Sequence, residues 1–148
     1  MKVRKATIKD YQSIVNFQQA MARETEGIEL LLDPLEKGVK AVLEDPSKGI
    51  YYVAEINKKV VSSLLTTYEW SDWRNGTVLW IQSVFVLPEY RRKGVYRNMY
   101  SHLKNKVTKD GRLKGIRLYA DKSNRAAHKT YENLGMSQDH YVTFEWLK

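Results

Sequence analysis

A mixed α/β domain, with helices packed on a central sheet, is the fold class this 148-residue sequence predicts. Three observations predict it. Stretches of period-two alternation interleave with stretches of helical periodicity along the whole chain. A largely β-branched and aromatic run over residues 78–87 stops at Pro88 and passes three consecutive cations, Arg91, Arg92 and Lys93. It then turns at Gly94 into a helical stripe of Val95, Met99, Leu103 and Val107. Length, 43% hydrophobic residues and 28% charged residues fit one ordinary globular domain over 1–148, large enough to bury a sizeable core.

The elements follow in order. Residues 2–8 begin with alternation and read as a first strand. Thr7 and Asp10 then bracket a capping box, Thr7 being the N-cap of a helix. That helix sets Tyr11, Ile14, Val15, Gln18 and Met21 along one side and frays toward Gly27. Asp33-Pro34 opens a second helix, proline being favoured in a first turn, and Leu35, Val39 and Val42 form its apolar face. Residues 50–56 and 60–69 are strands joined by a turn at 57–59, a hairpin pattern. A connection over 69–76, rich in aromatic and acidic residues, closes on Asn75-Gly76 before a strand at 77–87. The third helix follows Gly94. A strand at 115–120, a short helix at 124–134 ended by Gly135, and a last strand at 141–147 complete the order β-α-α-β-β-β-α-β-α-β.

Composition narrows the function. A net charge of +8 suggests an anionic partner. The cations cluster only at Arg91, Arg92 and Lys93, and the rest are scattered, as at Lys104, Lys106 and Lys109. This distribution favours a phosphorylated cofactor, and no nucleic acid is expected as a partner. The absence of cysteine excludes a disulfide framework, a thiolate zinc site and a thiol nucleophile, and no metal is expected. No apolar run approaches the roughly 18 residues of a membrane helix, and no signal-peptide pattern opens the chain. A cytoplasmic protein without a membrane partner is the expectation.

The strand–basic loop–helix arrangement is suited to phosphate, because a helix N-terminus presents unpaired N–H groups and partial positive charge. Tyr90-Arg91-Arg92-Lys93-Gly94-Val95 resembles the acyl-CoA loop of the GNAT superfamily of N-acetyltransferases, Arg/Gln-x-x-Gly-x-Gly/Ala. Arg91 and Gly94 match, whereas Tyr96 stands where a second small residue is usual. Downstream, the block from Asn124 to Met136 is similar to the family's Asn-x-x-Ala-x-x-x-Tyr-x-x-x-Gly-Phe/Met segment, with Tyr131 at the tyrosine position. The resemblance implies the acyl-CoA N-acyltransferase fold, a mixed sheet of six to seven strands flanked by about four helices. In that fold the fourth and fifth strands splay apart and admit the acyl-pantetheine arm. It also implies direct acetyl transfer from acetyl-CoA to an amine, and it leaves a homodimer open.

Residue roles follow from that resemblance and from the chemistry required. Backbone amides of Arg92, Lys93, Gly94, Val95, Tyr96 and Arg97, with the Arg91, Arg92 and Lys93 side chains, would clamp the CoA phosphates. Backbone groups of Val84, Phe85 and Val86 would meet pantetheine and polarise the thioester carbonyl, and Asn124 would hold the pantetheine arm. Tyr131 would be the general acid toward the leaving thiolate, a phenol of ordinary pKa about 10 serving a thiol of about 8.5. Glu69, between Tyr68 and Trp70, is the leading general base. Glu24, Glu26 and Glu29 at the first helix–helix junction, with Trp70 and Asp72, would recognise a cationic acceptor by charge and cation–π attraction. A small cationic amine fits best, with a peptide or protein amine also open. The competing reading is a non-catalytic module that binds or senses acyl-CoA.

Overall fold

The computed structural model describes residues 1–148, which fall into two compact units, Met1–Arg117 and Leu118–Lys148. The first unit carries β1 (Lys2–Lys5), α1 (Tyr11–Glu26), α2 (Leu32–Glu44), β2 (Ile50–Ile56), β3 (Lys59–Ser71), β4 (Gly76–Val86) and α3 (Val95–Lys109). It ends on β5 (Leu113–Leu118), and α4 (Arg125–Asn133) belongs to the second unit. The sheet has five strands in the order β1-β2-β3-β4-β5, short of the six to seven expected. From β1 to β4 each strand pairs antiparallel with the next, and the β4-to-β5 connection is the α3 crossover.

Local chemistry sets the boundaries. β1 stops at Lys5 because Ile8–Asp10 closes a 3-10 turn, and the Thr7 N–H donates to the Asp10 carboxylate at 2.7 Å, the return half of the capping box. Arg4 binds that same carboxylate at 2.8 Å and Glu55 of β2 at 3.0 Å. The hairpin between β2 and β3 turns on Asn57 and Lys58, both left-handed at φ 49° and 65°, a geometry matching the twist of the paired strands.

β3 continues past the expected end at 69. Glu69 and Trp70 pair with Val78 and Thr77, so they are strand residues and the connection shrinks to a turn before Gly76. Ladder pairing with β4 outweighs the polar, turn-like composition of this stretch.

Alternation along β2 divides the packing. Tyr51 and Val53 join Ile14 and Val15 of α1 and Val39 of α2 in one cluster. Tyr52, pointing the other way, lies against His102 of α3 with ring centroids 5.6 Å apart. On α3 the predicted stripe holds over its first three members, Val95, Met99 and Leu103, which are buried, while Val107 is half-buried. Ser62 Oγ, fully buried in β3, donates to the Phe85 carbonyl at 2.6 Å and lies 3.1 Å from Met99 Sδ.

In the second unit, Asn124 Oδ1 accepts from Ala127 N at 3.1 Å and caps α4, and Gly135, at φ 83°, follows its end. Residues 141–147, expected as the last strand, form none. A strand is defined by a neighbour that takes its backbone bonds. Here the side chains stand in solvent, Phe144 at 91% exposure. No helix is long and apolar enough to cross a membrane.

Candidate active site

The site begins with a defect in β4. Leu65 pairs with Gln82 and Ser63 with Phe85, so Ser83 and Val84 together face Leu64. Ser83 takes φ 52°, a left-handed value rare outside glycine, and the extra residue makes a β-bulge. Sequence reasoning missed this feature. Its only trace is the polar pair Gln82-Ser83 interrupting an otherwise apolar run. A bulge bends its strand and re-aims the backbone that follows, here Val84, Phe85 and Val86. The Phe85 side chain is buried and stacks on Phe17 at 5.2 Å, so a core role for the side chain leaves the backbone role open.

β5 meets β4 at the opposite end, where Thr77 N donates to the Arg112 carbonyl at 2.9 Å. A Cβ on Gly76 would fall 2.8 Å from that same carbonyl oxygen, so only glycine allows this approach.

Beyond β4, Pro88–Tyr90 forms a 3-10 turn, and the chain enters α3 through two left-handed residues, Arg92 at φ 60° and Gly94 at φ 75°. Gly94 is the N-cap of α3 and its carbonyl accepts from Asn98 N at 3.0 Å and Asn98 Nδ2 at 2.8 Å. The nearest atom to an added Cβ there is 3.7 Å away, so the dihedral angle requires this glycine and crowding does not. The first-turn amides of Val95 and Arg97 have no carbonyl within the helix to bind. That geometry fits the phosphate clamp the sequence suggests.

The Tyr96 ring lies beside Tyr100, one turn along the helix, with centroids 6.4 Å apart. Lys59 and Lys93 place their ammonium groups 5.4 and 5.6 Å from the Tyr90 ring centre.

Arg91 does something the sequence did not indicate. Its Nε donates to the Val86 carbonyl at 2.9 Å, its Nη2 donates to Glu24 at 2.7 Å, and its guanidinium lies 5.5 Å from the Phe85 ring centre. The structure thus brings Glu24, expected beside an acceptor, onto the basic loop that follows β4. Glu29 is likewise bound by an arginine, Arg23, which holds its carboxyl below the usual range. Glu26 lies exposed in the last turn of α1.

Glu69 accepts from Arg117 of β5 at 2.6 Å, a contact reaching across the intervening β4. Trp70 is 66% exposed and so is no core residue, and Asp72 accepts from the Trp73 N–H at 2.9 Å. A cleft of about 430 Å³ runs between α1 and the β3 and β4 ends, with Phe17 and Phe85 in its wall. Lys59 is its only charged lining residue, so it offers no carboxylate to a cationic amine.

In the second unit, Tyr131 lies on α4, which Asn124 caps, and burial pushes the Tyr131 phenol above its ordinary value. His128 Nε2 is 2.9 Å from the Asp121 carbonyl oxygen. No group of three or more His, Asp or Glu side chains is placed to hold a metal ion.

The acetyltransferase (GNAT) family model matches residues 11–136, which include β4, the loop, α3 and α4. The chain belongs to the GNAT acetyltransferase family. A crystal structure of a possible acetyltransferase from Clostridium difficile 630 is 47% identical, with a TM-score of 0.92 over 99% of this chain and 97% of that one. Two remoter structures share the GNAT fold alone. One is a ribosomal-protein-alanine N-acetyltransferase from Brucella melitensis biovar Abortus 2308, 14% identical with a TM-score of 0.79 over 99% of this chain and 100% of that one. The other is AAC(6')-Iy in complex with the bisubstrate analogue CoA-S-monomethyl-acetylneamine, 13% identical with a TM-score of 0.76 over 99% and 97%. No curated protein matches the chain in sequence.

Proposed function

We propose that this GNAT family member transfers the acetyl group of acetyl-CoA directly to an amine, a small cationic amine in the first instance. The observation that carries the proposal is the path from the bulge at Ser83, through left-handed Arg92 and Gly94, to the open first turn of α3. It offers a run of amides and cations suited to a pyrophosphate, directly after a strand end whose backbone is re-aimed. The remote structure with a CoA-derived analogue is consistent with that ligand class.

Acetyl-CoA, when bound, supplies an activated thioester carbonyl. The chain supplies the rest. Amides of Val95, Tyr96 and Arg97, with Lys93 and Arg92, hold the phosphates. A backbone N–H among Val84, Phe85 and Val86 draws charge onto the carbonyl oxygen. Asn124 keeps its amide NH2 for the pantetheine arm while its oxygen caps α4. Tyr131 holds a proton at its phenol for the departing sulfur, and Glu69 receives the proton of the acceptor ammonium. With no cysteine in the chain, direct transfer needs no acyl-enzyme.

The test joins two measurements on the intact protein: thermal stability with acetyl-CoA, and thiol release across polyamines, amino acids, aminoglycosides and peptides. The expected result is a raised Tm with acetyl-CoA and turnover with at least one amine. No Tm shift at saturating acetyl-CoA would overturn the proposal. A shift without turnover on any amine would replace it with an acyl-CoA sensing module.

A further inference from the structure

A small cavity of about 160 Å³ lies between the sheet and the C-terminal end of α3, wholly within the first unit. Three hydroxyl-bearing side chains line it, and their hydroxyls differ. Tyr68 donates to the Pro46 carbonyl at 3.0 Å, and Thr66 donates to the Ile50 carbonyl at 3.2 Å. Tyr52 is 2% exposed, and its hydroxyl has no hydrogen-bond partner. A buried phenol normally finds one, so an open hydroxyl in a cavity wall marks a place for a ligand atom.

Charge says which kind of atom. Lys106 lines the same cavity, half-buried, and pairs with no carboxylate. Asp110 lines it too, but Arg112 binds both of its oxygens, at 3.0 and 2.9 Å, and holds its carboxyl at about 2. Two cations thus stand against one acid. A phenol hydroxyl and a lysine ammonium both donate, and both suit an anion. The rest of the wall is aliphatic, from Ile50, Leu79 and Leu113, which suits an apolar tail. Size sets the limit. At roughly 30 Å³ for a water-sized group, the cavity holds about five such groups, the size of propionate.

We propose that this cavity binds a short-chain monocarboxylate of about two to four carbons, its carboxylate on the Tyr52 hydroxyl and the Lys106 ammonium and its tail on the aliphatic wall. Val95 and Lys106 lie roughly 16 Å apart along α3, so this cavity and the proposed phosphate clamp occupy opposite ends of one helix. The proposal does not rest on the catalytic reading.

Backbone-amide NMR of the intact protein tests it, titrating sodium propionate at an ionic strength held constant with chloride. Amides around Tyr52, Lys106 and Leu113 should shift saturably, with a Kd of about 1–10 mM for so small a ligand. Acetate, burying one methylene fewer, should bind about fourfold more weakly. Hexanoate should bind no tighter than butyrate, because the cavity is already full. Inorganic phosphate and uncharged propionamide should each bind more weakly than propionate. Tyr52→Phe and Lys106→Met should each weaken propionate about tenfold. Lys109→Met, which removes a cation outside the cavity lining, should leave its affinity unchanged. Tyr52→Phe deletes a hydroxyl that bonds nothing, so its Tm without ligand should equal or exceed the parent's. That separates loss of the site from loss of the fold. No saturable shift with propionate would overturn the proposal and leave the cavity to water. Phosphate or propionamide binding as tightly as propionate would overturn it too, as would parental affinity in Tyr52→Phe.

Discussion

At Arg91 a carboxylate of the chain competes with the phosphate the loop is suited to bind. The Arg91–Glu24 pair is exposed at 43% and 42% of its side chains, and surface pairs of this kind contribute about 0–1 kcal/mol. A polyanionic pyrophosphate bound at the proposed clamp would therefore displace Glu24 at little cost. Glu24→Gln should leave Tm unchanged and lower KM for acetyl-CoA about two- to threefold, whereas Arg91→Ala should raise it about tenfold. Steady-state kinetics with both substrates varied would check this. A raised KM for the amine in Glu24→Gln would return Glu24 to the acceptor site. Tyr131 makes a different demand. A general acid must be protonated, and burial holds this phenol above its ordinary value of 10.0. Its acid form therefore persists through pH 10, and kcat should show no alkaline limb from Tyr131 below that pH. Tyr131→Phe should lower kcat about 100-fold with KM for acetyl-CoA little changed. A kcat equal to the parent's would remove Tyr131 from the chemistry.

Among the elements, the start of α3 carries the most consequence for the proposed site. Gly94 adopts φ 75° and an added Cβ would make only an ordinary van der Waals contact with Asn98 Nδ2 at 3.7 Å, so Gly94→Ala would meet strain and no clash. A left-handed conformation costs a non-glycine residue roughly 1–2 kcal/mol. Denaturant unfolding should show a loss of that size. The acetyl-CoA affinity should fall with it if the first turn of α3 shifts to relieve the strain. The loop was legible because glycine, proline and a cation run have local backbone consequences. The bulge was not, because Ser83 is left-handed only through the register β4 keeps with β3 on both sides of it. The long reach of β3 was hidden for a similar reason. Trp70 and Ser71 lie past the end the sequence predicts and are held in the strand by partners across the ladder, Thr77 and Gly76.

For the whole molecule, the Arg4–Asp10–Glu55 network joins β1 and β2 to the entry of α1. Burial alone would raise the Asp10 carboxyl. The Arg4 guanidinium and the Thr7 N–H and hydroxyl outweigh it, and the group lies below its ordinary value of 3.8. A depressed carboxyl contributes stability that is present above its unfolded pKa and is lost as pH falls through the folded one. Acid destabilisation from this group should therefore set in below about pH 4. Asp10→Asn should cost roughly 1.5–3 kcal/mol at pH 7, the loss of charged hydrogen bonds from Arg4, which keeps its second partner Glu55. The gap between parent and variant should shrink below pH 3. Urea unfolding across that range would check both statements, and a constant gap would place the stabilisation elsewhere.

The sequence by itself determined the elements as far as α4, their order and the family, because periodicity, capping and turn chemistry act within a few residues and the two motif blocks are local. Which arginine each of these glutamates, Glu24 and Glu69, meets was decided only by tertiary structure. Arg91 and Glu24 are 67 positions apart, and Glu69 and Arg117 are 48, distances over which side-chain chemistry carries no mark in the sequence. The same holds for residues 141–147. Their alternation reads as a strand, but whether such a segment becomes one depends on a neighbouring edge that takes its backbone bonds.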